Sequence, residues 1–260
     1  MTLKIYQVDA FASAIFEGNP AAVIPLEKWL PDKIMQNIAL ENNLSETAFF
    51  IHIENGFYIR WFTPLAEVDL CGHATLATAH VIFNYLNFSK NEIQFESKSG
   101  ILKVKHANDL LWLNFPASPL IETDIPENFN KAFQFQPVKC LKGREDYMLI
   151  FKNENEILNL EPDFNLISET KTRGTIPTSI SDEFDFVSRF FAPALGINED
   201  PVTGSAHTML IPYWSKVLGK NELIAKQISK RGGILHCKNI GKRVEIGGKA
   251  VTYLVGEIII

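Results

Sequence analysis

The sequence is poor in cysteine: it has three in 260 residues, and no two of them form a CxxC pair. Because such a sparse, odd set is not a disulfide framework, we expect a reducing, cytoplasmic location. No apolar run reaches about 18 residues and no signal peptide is visible, so no membrane span is expected. Positive charge is also scarce, with 25 basic residues against 30 acidic ones. This balance argues against electrostatic binding of nucleic acid.

Motifs of common cofactor chemistry are also missing. The sequence has no HExxH, no Walker-type phosphate loop and no GxGxxG. Sites for zinc, nucleoside triphosphates and dinucleotides therefore lose their usual sequence support. Hydrophobic residues make up 46% and charged residues 21%, an ordinary globular balance that excludes disorder as a description of the whole chain.

Strand signals dominate the first 115 residues, and turn residues separate them. The expected strands are 3–11, 20–26, 47–53, 57–63, 92–97, 101–106 and 110–115. Asn55-Gly56 between two of them predicts a hairpin. Helical spacing is found at 32–42 and 73–86, and the second of these helices is almost uncharged. A helix of that kind is usually buried on most sides, which predicts a curved sheet around a central helix.

A proline-rich segment at 115–129 predicts a domain boundary. We expect one domain over 1–115 and a second over 116–260. The terminal strand of the second domain can pack with the first domain. In the second domain, strands are expected near 147–152, 184–190 and 244–259, with a helix starting near 205.

The two halves share a similar turn. One runs from Phe62-Thr63-Pro64 to Cys71-Gly72-His73-Ala74, and the other from Phe191-Ala192-Pro193 to Thr203-Gly204-Ser205-Ala206. Each glycine lets a ligand approach the backbone, and each helix start offers unpaired N–H groups and a positive dipole end. Two such starts in pseudo-symmetric domains predict a carboxylate or phosphate site. The alternative is that both glycines are ordinary turns.

Four segments resemble the signatures of the PhzF-like (phenazine biosynthesis-like) family, which is related to diaminopimelate epimerase. They are DAFASAIFEGNPAAV (9–23), NLSETAFF (43–50), RWFTPLAEVDLCGHATLATAH (60–80) and INEDPVTGSAHTMLIPYW (197–214). The resemblance implies an α+β fold of two domains, each a β-barrel-like sheet around a central helix, with the active site in the cleft between them. It further implies an isomerase that transfers a proton on a small carboxylate without a cofactor or a metal. No nucleic-acid or membrane partner is expected. Because the family often dimerises, we expect a homodimer.

The resemblance also assigns residue roles. Glu46, in Ser45-Glu46-Thr47, inherits the acid/base role, and His73 and Asp200 assist it. The substrate is held at the two turns, by Gly72, Ala74, Gly204 and Ser205.

The residues themselves support these roles but leave other interpretations open. Glu46 precedes an apolar strand, so partial burial would raise its pKa, although a solvated acid is the simpler interpretation. The helix N-terminus disfavours a cation at His73, which is then a neutral donor, a proton relay or a plain polar residue. Asp200 suits a turn as well as a site, and Ser205 suits a helix cap. His80 is expected to be a core histidine.

Two rival functions remain. The epimerase relatives use two thiols, and Cys71 stands about where the first would be, but Thr203 occupies the corresponding position in the second half. One thiol cannot carry out a two-base racemisation, so a buried structural cysteine is the expected interpretation. The other rival is a binding or interaction protein that has kept the scaffold without turnover.

Overall fold

The computed structural model describes residues 1–260, the whole of the chain. The fold is α+β, with a large mixed sheet and few helices. Contacts divide it into two compact units: residues 1–114 together with 247–260 form the first, and residues 115–246 form the second. None of the helices has both the length and the apolar character needed to cross a membrane.

The elements follow in chain order. The first ten are β1 (Thr2–Ala10), β2 (Asn19–Leu26), α1 (Asp32–Asn42), β3 (Glu46–Ile53), β4 (Gly56–Phe62), β5 (Glu67–Val68), α2 (Gly72–Tyr85), β6 (Glu92–Ser97), β7 (Gly100–Ala107) and β8 (Leu110–Pro116). The others are β9 (Ile121–Thr123), α3 (Glu127–Ala132), β10 (Lys139–Lys142), β11 (Asp146–Ile150), α4 (Glu154–Leu158), α5 (Phe164–Glu169), β12 (Gly174–Ile180), β13 (Phe186–Ser188), α6 (Gly204–Leu218), β14 (Glu222–Gln227), β15 (Gly233–Asn239), β16 (Arg243–Gly248) and β17 (Ala250–Ile259).

The sheet of the first unit surrounds α2. Its strands pair in the order β17-β1-β2-β3-β4-β6-β7-β8, and all pairs are antiparallel except β2–β3 and β4–β6. Helix α2 packs against β1, β2, β3, β7 and β17. Its residues from 73 to 79 are all buried, so no face of that stretch can carry a charge without a partner. This packing explains why the helix is almost uncharged.

Most of the predicted elements of the first unit are confirmed. Helices α1 and α2 lie within one residue of the expected ranges. The hairpin exists, but Ile53 pairs with Gly56, so its tip is Glu54-Asn55, one residue before the predicted position. The short strand β5 was not expected, because two residues are too few to show an alternating pattern.

The second unit has a sheet in the order β9-β10-β11-β12-β13-β14-β15, in which β11–β12 and β13–β14 are the parallel pairs. The long helix α6 packs on β14 and β15. A separate apolar core joins the short helices α3, α4 and α5 to this sheet through Phe129, Ile157 and Ile167. The pseudo-symmetry of the two units stays a prediction.

The expected strand over 244–259 is wrong in one respect. It is two strands, β16 and β17, broken at Lys249. Strand β17 pairs with β1 along nearly its whole length, from Thr2–Ile259 to Ala10–Ala250. The chain therefore ends in the sheet in which it begins.

Candidate active site

The start of β3 and the start of α2 bring Glu46 and His73 together. Glu46 is the first residue of β3 and is fixed by the parallel pairing of Ala21 with Glu46, while His73 is the second residue of α2. Glu46 Oε2 lies 3.1 Å from His73 Nε2, and the two side chains are 15% and 7% exposed. No hydrogen bond or ion pair from the protein occupies Glu46 Oε1, so that oxygen is available to a ligand.

The other edge of the His73 ring faces two more side chains. Asn19 Nδ2 lies 3.3 Å from His73 Nδ1, and Cys71 Sγ lies 3.6 Å from the same nitrogen. A carboxamide that rotates by 180° presents its oxygen in place of its nitrogen. Asn19 can therefore donate to a neutral His73 or accept from a charged one.

The side chains around His73 favour the positively charged form of its ring. Burial opposes the imidazolium, but the interactions of the ring with Cys71 and Glu46 outweigh the effect of burial and raise the pKa of His73 well above the usual range. Burial and the Glu46 carboxylate raise the pKa of the Cys71 thiol. This result reverses the expectation of a neutral His73, because a helix N-terminus contributes only about 0.3–1 kcal/mol.

The ligating atoms of Glu46, Cys71 and His73 all lie within 4.8 Å of one another, a spacing that a metal ion could use. However, Glu46 contacts Nε2 of the ring and Cys71 contacts Nδ1. A single ion on either nitrogen would have the other side chain on the wrong edge of the ring. We therefore keep the expectation of no metal as a prediction.

The second unit contains the turn with Asp200 and Gly204, and a buried glutamine holds it. Gln227 Oε1 accepts from the Thr203 N–H at 2.9 Å. Gln227 Nε2 donates to the Asp200 carbonyl at 2.8 Å and to Thr203 Oγ1 at 3.2 Å. The Thr203 hydroxyl in turn donates to the Asp200 carboxylate. The turn is thus fixed before helix α6 begins at Gly204.

Ser205 is not the helix cap that we expected. The cap position belongs to Thr203, which lies before Gly204, so the Ser205 hydroxyl is one step too far along the helix. Ser205 Oγ instead accepts from Arg173 Nη1 at 3.1 Å. Arg173 is itself held by a two-pronged pair with the buried Asp146, in which Nε donates to Oδ1 at 2.9 Å.

Two further histidines lie apart from the Glu46–His73 pair; His80 is half-buried and His207 is buried. His80 Nε2 lies 2.9 Å from Thr252 Oγ1, and burial, aided by His106, lowers the pKa of His80 to about 4. His207 Nδ1 lies 2.9 Å from the Thr203 carbonyl, and burial lowers the pKa of His207 to about 4. Both are neutral at physiological pH. His80 is hydrogen-bonded, as expected, but it is half-buried and not part of the core.

The structure thus assembles the predicted residues in two sets. Glu46, His73 and Gly72 belong to the first unit, and Asp200, Gly204 and Ser205 to the second. Sequence reasoning missed Asn19, Arg173 and Gln227. Asn19 lies inside a family signature, but the other two lie in no motif, and their partners are 24 residues or more away.

Comparisons with known proteins identify the family. The model of the PhzC-PhzF family, described as phenazine biosynthesis-like protein, matches residues 8–256. An uncharacterized isomerase of Pseudomonas aeruginosa is 47% identical over 258 residues, 99% of each chain. The crystal structure of a PhzF family protein from Enterococcus faecalis matches with a TM-score of 0.98 at 46% identity, over 100% of both chains.

The chain therefore belongs to the PhzC-PhzF family, and the resemblance seen in the sequence is confirmed. Its close relatives carry isomerase names. The same fold is found in proteins of much lower sequence identity. The structure of a hydroxyproline epimerase from Agrobacterium vitis matches 99% of this chain with a TM-score of 0.64 at 7% identity. A likeness at that identity shows the fold alone.

We expect His73 to titrate above the usual histidine range, about 6.5, and Glu46→Gln to lower its midpoint, because the amide removes a negative charge beside Nε2. The Cε1–H resonances in an NMR titration measure both midpoints. His80 is the internal control, with a midpoint near 4 that Glu46→Gln leaves unchanged. A His73 midpoint below the usual value would contradict the charge assignment. The stability contributed by the pair is full below pH ~6.5 and is lost as the pH rises through the folded pKa.

We expect Gln227→Leu to destabilise the protein, because it leaves the buried Thr203 N–H without its acceptor at a cost of about 1–3 kcal/mol. It should also speed hydrogen exchange at Thr203. Thermal unfolding and exchange measure the two effects. Gln136→Leu is the matched control, since that side chain is exposed and its loss should cost within about 0.5 kcal/mol. Equal stability of the two variants would show that Gln227 does not hold the turn.

Proposed function

We propose that this protein is a cofactor-independent isomerase that moves a proton on a small carboxylate substrate, with Glu46 as the general acid/base. The observation that carries the proposal is the contact between the half-buried Glu46 and the buried His73, in which Oε2 lies 3.1 Å from Nε2. A carboxylate that is held on one oxygen and open on the other has the arrangement of a positioned proton carrier. The isomerase names of the close relatives support the same reaction class.

In the proposed reaction, Glu46 Oε1 takes a proton from a substrate carbon. The C–H bond breaks and an O–H bond forms, and the electron pair is left to the conjugated substrate. The same O–H then returns the proton to a different carbon, so the enzyme is unchanged and the substrate is isomerised. His73 Nε2 contacts Oε2 and so orients the carboxyl group.

The substrate carboxylate would bind at the helix starts. Neither α2 nor α6 has a side-chain cap, so N–H groups of their first turns remain available to an anion. Gly72 and Ala74 provide these groups in the first unit, and Gly204 and Ser205 in the second. Asp200 lies in the turn that precedes the second helix and would orient a polar group of the substrate. The expected position of the substrate between the units, the homodimer and the cytoplasmic location stay predictions.

We expect Glu46→Gln to lower proton transfer by at least ~10²-fold, because the amide cannot accept the substrate proton. Incubation in D₂O with a panel of small amino, hydroxy and cyclic carboxylates, read by NMR and mass spectrometry, measures deuterium incorporation. Glu41→Gln is the matched control, because Glu41 is exposed at the end of α1 and should retain full exchange.

Full exchange by Glu46→Gln would refute the role of Glu46. Retention of a panel compound without any exchange by the wild type would favour a binding protein instead. The proposal is supported if the wild type and Glu41→Gln incorporate deuterium into a panel compound and Glu46→Gln does not. That compound would then identify the substrate class.

A thiol mechanism is the second candidate, and one observation favours it: Cys71 Sγ lies 3.6 Å from His73 Nδ1. Against it, burial raises the pKa of Cys71, and the corresponding position of the second unit is Thr203. Cys140 and Cys237 are buried in β10 and β15, away from both turns.

Cys71→Ala separates the two candidates. We expect this variant to retain most of the wild-type exchange, because Glu46 and His73 remain in contact without the thiol. The same D₂O measurement applies, with circular dichroism to verify the fold. Complete loss of exchange in a folded Cys71→Ala variant would favour the thiol mechanism.

A further inference from the structure

An open surface pocket of about 420 Å³, called the cavity below, lies in the second unit between two loops. One loop is the turn from β10 to β11, and the other leads from α5 to β12. The parallel pairing of Asp146 with Gly174 holds the two loops side by side. Side chains from both loops line the cavity, among them Lys142, Arg144, Glu145, Tyr147, Lys171 and Arg173.

The lining is strongly cationic. Arg173 is neutralised by the buried Asp146 and also lies 3.4 Å from Glu145. Lys142, Arg144 and Lys171 have no carboxylate partner; Lys142 Nζ lies 5.0 Å from the centre of the Tyr147 ring. Four cations against two carboxylates leave two positive charges in excess. The whole chain carries a net charge of −5, so this local excess runs against the general charge of the molecule.

The cavity is tied to the start of α6. Arg173, which lines it, donates to Ser205 Oγ at 3.1 Å. One helical turn later, Met209 fills the space beside Gly143, where an added Cβ would lie 2.7 Å from the methionine sulfur. Both loops of the cavity are therefore packed on the first turns of α6, the helix to which Ser205 belongs.

We propose that this cavity binds a second anionic group of the substrate, so that the enzyme selects small dianions such as dicarboxylates. The inference rests on the proposed function, because it takes Ser205 as a contact of the first carboxylate. A concave site of this volume suits a small molecule. A long polyanion would meet the acidic remainder of the chain.

Succinate and butyrate are the probes, since they have the same number of carbons and differ by one carboxylate. Isothermal titration should show that wild type binds succinate at least ~10-fold more tightly than butyrate, and that added salt weakens the difference. Amide resonances of residues 142–147 and 170–174 should shift with succinate. Arg144→Ala and Lys171→Ala should each weaken succinate binding at least ~5-fold, while Lys152→Ala, an exposed lysine of the same unit outside the cavity, should not.

The inference would be overturned if the wild type bound succinate and butyrate with equal affinity, or if succinate shifted only amide resonances outside the cavity. It would also be overturned if Lys152→Ala weakened succinate binding as much as Arg144→Ala and Lys171→Ala do. Glu46→Gln should still bind succinate, which separates this test from that of the proposed reaction. If the wild type exchanges a dicarboxylate and Arg144→Ala exchanges it with an unchanged KM, the reaction stands and the cavity plays no part in selection. If succinate binds in the cavity but Glu46→Gln exchanges protons fully, the anion-binding role of the cavity is supported and the catalytic role of Glu46 is refuted.

Discussion

The burial of α2 is the constraint on which the rest of the first unit depends. Because this helix packs against five strands, it can carry a charge only at its ends; a charge along its length would lose its hydration without gaining a partner. The first turn is where the chain places Gly72 and His73, and the sheet that covers the helix also places Glu46 beside them. The same packing thus produces the apolar core and the polar site.

The half-buried Glu46 carboxylate and the buried His73 imidazole tolerate desolvation because they face each other. Either group alone would be driven toward its neutral form, and removal of one partner leaves an uncompensated charge. The site therefore couples structure and chemistry: the contact that offsets the burial of Glu46 also fixes the direction of its free oxygen. Asn19 completes this arrangement at the far edge of the ring.

Local patterns predicted the elements that are long or periodic, such as α1, α2 and the strands on either side of Asn55. Helices α3, α4 and α5 were missed because five or six residues span less than two helical turns, too few to show a repeating hydrophobic pattern. The site residues that lie in a family motif were predicted from the sequence. The charge of His73 was not predicted, because it depends on the Glu46 carboxylate, 27 residues earlier in the chain. Gln227 and Arg173 act across the fold, and only the three-dimensional structure shows what they hold.

The return of β17 to the first unit has a consequence for biosynthesis. Residues 115–246 form one continuous stretch, so the second unit has all its sequence before β17 is made. The first unit lacks β17 until then, and the edge of β1 that β17 covers is open to pairing with another chain. The unit that contains β1 is therefore completed only after the second unit has been made, and a ribosome that stalled before β17 would leave one edge of β1 unpaired.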